Sequence, residues 1–189
     1  MTAKTPVALD SREIEVNLLI KGSEHCLDQC EALLNMISAE AYVEQTQDSA
    51  SIGTHMRHLL DRFQCLFNGL PDRTVDYDAR KRDKSIETNM AAARFAAVTL
   101  KRRLSDLRRQ EKQGVGQRVE LGVELSVRES VHHASPQVSV SSNLQRELMG
   151  LITHGTHHLA LMVMIGKQLG FEFHKDLGKA PSTIIHERG

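Results

Sequence analysis

Residues 142–170, SNLQRELMGLITHGTHHLALMVMIGKQLG, constrain this chain more than any other stretch. Ser142 followed by Gln145 has the form of a capping box at a helix start. Gly170 suits the helix end, since glycine readily takes the left-handed conformation found there. Between these ends the apolar run 159–165 is too short to span a bilayer, which takes roughly 18 or more residues, and reads as part of a buried helix. Within this helix stand His154, His157 and His158. Residues four apart on a helix lie one above the other. His154 and His158 therefore share a face, and Leu151, Met162 and Ile165 turn that face toward a core. Two imidazoles so placed can grip one metal ion. His157 lies about 100° around the axis from His158, and so suits a neighbouring or lid position better than joint chelation.

Two ligands rarely suffice for a metal, and catalytic zinc sites commonly take three protein ligands plus water. Residues 51–63, SIGTHMRHLLDRF, offer His55 and His58, three apart and near one helix face. Spacing alone does not choose between them. Asp61, one turn beyond His58, is placed to orient a ligand ring. Glu147, two turns before His154, is a candidate base or fourth ligand.

The rest of the chain supplies a helical frame. Residues 10–40 carry Ile14, Leu18, Leu19, Cys26, Leu33, Leu34 and Ile37 at imperfect helical spacing, with Gly22 marking a kink or a break into two helices. A second helix, capped by Ser49 or Ser51, runs to Asn68 with Ile52, Met56, Leu59, Leu60, Phe63, Leu66 and Phe67 on one stripe. Gly69 and Pro71 then end it. The charged segment 72–87 reads as a solvated loop. Alternatively, Arg80 or Arg82 folds over a cleft to hold a carboxylate or another anion. A third helix covers 88–110. Its basic end suits the helix dipole rather than a nucleic-acid surface. The strict alternation of Val119, Leu121, Val123, Leu125 and Val127 predicts a half-buried strand, and Val138 with Val140 predicts its hairpin partner. His132 and His133, in the turn, are expected to be exposed rather than ligating. The ends are expected to be a loose arm at 1–8 and an irregular tail at 171–189, the tail packing back through Phe171, Phe173, Ile184 and Ile185.

These elements predict an all-α domain spanning 1–189: a four-helix bundle with a small β-hairpin inserted before the last helix. Such bundles place cofactor sites between facing helices. Lys and Arg total 24 and Asp and Glu total 24, so no global field favours nucleic acid or a membrane surface. The absence of tryptophan leaves little for base stacking. The first residues have no signal-peptide core. With three cysteines, an odd number, no disulfide framework is expected, and Cys26 and Cys30 read as reduced helix residues facing one another. The expected setting is cytoplasmic.

The chain resembles the DinB-like (DinB/YfiT) superfamily. The likeness rests on SIGTHMRHLLDRF, on HGTHH at 154–158, and on the order of the four expected helices. Within that superfamily it looks closest to members with an RHxxD helix and a YDxRxRD loop, here Arg57, His58, Asp61, Tyr77, Asp78, Arg80, Arg82 and Asp83. The resemblance implies a four-helix bundle, often dimeric, with a divalent metal held by three histidines. By position these are His58, His154 and His158, which selects His58 over His55. Zinc is the ion the resemblance and the imidazole donors favour, with nickel and iron also compatible. The resemblance further implies transferase or isomerase chemistry on a small molecule with a low-molecular-weight thiol at the open metal position; a hydrolase using metal-bound water there is also expected of such an open site. His55, His157, Arg80 and Arg82 would surround the metal or the substrate, and Glu147 or Asp61 would manage a proton. The competing expectation is a non-catalytic homodimeric bundle with a structural or vestigial metal.

Overall fold

The structure is a computed structural model that describes residues 11–45, 50–113 and 123–189. In chain order it contains α1 (Ser11–Met36), α2 (Ala39–Val43), α3 (Ile52–Gly69), β1 (Thr74–Asp76), α4 (Lys84–Thr88), α5 (Met90–Gln113), β2 (Glu124–Glu129), β3 (Val138–Asn143), α6 (Leu144–Gln168) and α7 (Pro181–Arg188). The molecule is mostly helical, as expected, with a small three-stranded sheet. Helix α6 packs against α1 and α3, and α5 packs against the same two helices. Leu27, Leu33, Leu59, Phe63, Leu148 and Met162 belong to one buried apolar cluster drawn from α1, α3 and α6. Helix α6 is long and apolar enough to cross a membrane by length and composition alone, but 44% of its most apolar window is buried within the chain.

Several local expectations are corrected. Gly22 does not break α1, which is continuous from Ser11 to Met36. A Cβ at Gly22 would lie 2.9 Å from Ile152 Cδ1, so the glycine serves close approach of α6. The first helix ends before Glu40, because Ser38 caps a separate short helix by accepting a hydrogen bond from the Ala41 N–H. Gly69 is the last residue of α3, so this helix ends where expected. A Cβ there would meet Thr74 O at 2.4 Å, so its role is to let β1 fold back on α3.

The charged segment 72–87 is not a plain solvated loop. Val75 and Tyr77 are buried, β1 pairs in parallel with β2 at Val75↔Val127, and α4 follows. The antiparallel hairpin of β2 and β3 is present, with Val127 opposite Val140. The sheet therefore has three strands in the order β1-β2-β3 rather than two. Leu125 and Val127 face the core as their alternation requires, while Val119 and Leu121 lie outside the described residues, as do residues 1–8 and Ser49.

Helix α6 begins one residue later than the capping-box pattern suggests. Asn143 is the cap, its side chain accepting from the Arg146 N–H at 2.9 Å, and it is also the last residue of β3. At the other end Gly170 has φ +89, Gly170 N donates to Lys167 O and Phe171 N to Gly166 O, both at 3.0 Å. This pair of bonds is a Schellman motif. Phe173 then lies over Gly166, where a Cβ would be 2.5 Å from the ring. The segment beyond is not wholly irregular: α7 occupies Pro181–Arg188, and Ile185 is 72% exposed rather than packed back. Phe171 and Phe173 do pack against the core.

Candidate metal centre

Helices α3 and α6 build the site. Ser51 caps α3 by accepting from the Thr54 N–H at 3.1 Å, and Ile52, Met56, Leu59, Leu60 and Phe63 bury one face. His55 and His58 occupy the flank of that face. On α6, Gly155 sits between the histidines and packs on α1, where a Cβ would come within 2.4 Å of Cys26 Sγ. The small residue lets α6 lie close enough to α1 for His154 and His158 to stay beside α3. Cys26 and Cys30 are buried and free, and the Cys30 thiol is pushed up in pKa by its contact with Cys26 and by burial. They belong to packing.

His58, His154 and His158 each present a ring nitrogen, and these atoms all lie within 4.8 Å of one another. The ring centroids are 5.0 Å apart for His58 and His154, 4.7 Å for His58 and His158, and 4.5 Å for His154 and His158. Three imidazoles so arranged could hold a metal ion. The buried His154 Nε2 has no hydrogen-bond partner. An unpaired buried polar atom is uncommon, and a cation between the rings would supply the partner.

Electrostatics keeps the rings neutral. Burial, with the positive charges of Arg80, Arg62 and Arg57, holds His58 at about 4. Burial and Arg62 hold His154 at about 4. Burial and the neighbouring histidines hold His158 at about 3. Neutral imidazole is the form with a ligand lone pair.

His55 does not join the triad but touches it. Its Nδ1 is 3.1 Å from His158 Nδ1. If His158 donates in that contact, its Nε2 is left as the free acceptor, the arrangement by which an outer histidine sets a ligand's tautomer. His157 is exposed, its ring centroid 5.3 Å from that of His158, at the rim of the group. His132 and His133 are exposed in the hairpin turn and stack on each other at 4.4 Å.

Arg80 reaches the centre and Arg82 does not. Arg80 Nη1 lies 2.8 Å from His58 Nδ1, whereas Arg82 is exposed with left-handed backbone, φ 50. Asp61 is bonded to Arg57 rather than to a ligand ring: its Oδ2 accepts from Arg57 Nη1 at 3.1 Å, and burial raises its pKa against that pull. Glu147 stands outside the triad. Its carboxylate accepts from Tyr77 Oη at 2.6 Å and from Ser142 Oγ, tying α6 to the end of β1 and to β3.

Two further arginines surround the site that spacing did not single out for it. Arg57 Nε also bonds Glu87 Oε2 at 2.8 Å, linking α3 to α4. Arg62 pairs with Glu129 of β2 and lies 3.8 Å over the Tyr77 ring. Both partners are more than 25 residues away in sequence, beyond any local pattern; RHxxD was the only signal touching Arg57. No family model, curated protein or solved structure matches the chain.

Proposed function

We propose that the protein is a divalent-metal-dependent enzyme of the DinB-like type, a four-helix bundle acting as a transferase or hydrolase on a small molecule. The observation that carries this reading is the convergence of His58, His154 and His158, all neutral, around the unpaired His154 Nε2. His58 would hold the ion from α3, and His154 and His158 from α6. Three imidazoles leave at least one position open in a tetrahedral site, and zinc is the ion that best fits such a donor set. When bound, a divalent ion lowers the pKa of water or a thiol at that position and makes it a nucleophile near neutral pH. His55 sets the His158 tautomer, His157 guards the exposed rim, and Asp61 is the nearest buried carboxyl on α3 with a raised pKa, suited to moving a proton. The three free cysteines agree with a reducing, cytoplasmic setting.

The alternative is a non-catalytic homodimer with a structural metal. The run 159–165 offers it little, because Leu159, Met162, Val163 and Ile165 are buried in the chain itself. Cobalt substitution tests the proposal. A tetrahedral visible spectrum that changes when a low-molecular-weight thiol or a competing anion is added supports an open position. A cobalt spectrum indifferent to every added donor supports the structural reading.

A further inference from the structure

We infer that Arg80 is the seat for a carboxylate on the ligand that takes the open metal position, and that the metal and this anionic ligand bind cooperatively. The inference rests on the metal reading of the histidine triad and deepens it by naming the ligand class.

The three arginines around the site differ in one respect. Arg57 is neutralised by Asp61 and Glu87, and Arg62 by Glu129. Among the described residues Arg80 has no carboxylate within ion-pair distance. Its hydrogen bond goes to His58 Nδ1, and its buried Nε has no partner. A guanidinium only donates, so His58 must accept at Nδ1. A neutral imidazole has one ring lone pair to give, and Arg80 uses it. A cation bound by His58 needs that same lone pair, so the ion and Arg80 exclude each other at this ring.

Displacement then leaves Arg80, which feels Asp61 and Asp78 only from beyond ion-pair distance, beside a divalent ion with no carboxylate among its three ligands. Two like charges in a half-buried site repel strongly. An anion bridging them removes the repulsion, and the orphaned Nε with an adjacent Nη forms the planar fork that binds a carboxylate in two-pronged fashion. The fitting ligand therefore carries a metal-seeking donor, such as a thiol, and a carboxylate a few bonds away.

The test compares 3-mercaptopropionate with the uncharged 2-mercaptoethanol on the cobalt-loaded full chain, read by the near-ultraviolet charge-transfer absorption. Wild type should bind the mercapto acid about tenfold or more tighter, the size of a charge-assisted hydrogen bond. Arg80→Gln should lose that preference, and Arg80→Lys should keep part of it. Cobalt stoichiometry and the thermal midpoint of each variant check that it is folded and loaded. Equal binding of the two thiols by wild type, no binding of either, or a preference that survives in Arg80→Gln overturns the inference while leaving the metal centre standing. Failure of wild type to take up cobalt overturns both.

Discussion

Arg80 Nη1 donates to His58 Nδ1 across 2.8 Å, joining the segment between β1 and α4 to the one triad histidine supplied by α3. The contact occupies the lone pair that a metal would need. Replacing the guanidinium by a neutral amide removes both a competitor and a positive charge. In buffer free of carboxylates, Arg80→Gln should bind zinc about tenfold tighter than wild type, the scale of one charge-assisted hydrogen bond. Competition against a chromophoric chelator measures this; weaker binding by the variant would mean that Arg80 supports the ligand set instead of competing with the ion.

The triad should also make metal-free stability depend on pH. His58 and His154 titrate at about 4 and His158 at about 3 in the folded chain, below the ordinary 6.5. Between the folded and unfolded values the unfolded chain holds more protons, so stability rises with pH there. The contribution is complete above about 6.5 and is lost progressively as pH falls toward 4. Denaturant midpoints from pH 4 to 8 should climb and then flatten. His158→Ala should flatten the climb, and an unchanged slope would contradict these neutral rings.

Gly155 provides a packing test at the heart of HGTHH. A Cβ there would sit 2.4 Å from Cys26 Sγ, so the thiol must turn away or one of the two helices must shift. Gly155→Ala should destabilise the fold by about 1–3 kcal/mol, typical of overpacking, and should weaken metal binding because His154 and His158 flank it. Adding Cys26→Ala should restore most of both. A single variant as stable as wild type, by denaturant unfolding, would mean that α1 and α6 are not held so close.

Tyr77 and Glu147 give a fourth test. Tyr77→Phe leaves the Glu147 carboxylate with Ser142 as its remaining hydroxyl donor. Losing that bond should destabilise the chain by about 1–3 kcal/mol, while zinc stoichiometry stays the same because Glu147 lies outside the triad. Loss of bound zinc in Tyr77→Phe would move Glu147 into the ligand set.

The legible and illegible parts divide by sequence distance. The pairing of His154 with His158, the capped start of α3 at Ser51 and the β2–β3 hairpin all follow from local periodicity, and each is present. The choice between His55 and His58 was not legible from spacing, because both flank one helix face. In three dimensions the His58 ring stands close to both His154 and His158, whereas His55 approaches only His158. Strand β1 escaped because Val75 and Tyr77 are just two buried positions among charges, and their partner strand lies about fifty residues on. Gly22 does not mark a break because a helix tolerates a glycine where a neighbour packs tightly, and that neighbour, Ile152, belongs to the last long helix. Asn143 rather than Ser142 is the cap because β3 runs straight into α6 without a loop, and Asn143, the last residue of β3, stands immediately before the first helical turn.

The central claim is that His58, His154 and His158 form one metal site. Zinc bound per chain after loading and desalting, measured by atomic emission, tests it most directly. The set comprises wild type, His154→Ala and the double variant His132→Ala/His133→Ala, whose histidines are exposed in the hairpin turn. About one zinc per chain is expected in wild type and in the hairpin variant, and a near-complete loss in His154→Ala, whose site keeps only two of the three ligands such sites need. Equal zinc in wild type and in a folded His154→Ala would contradict that claim.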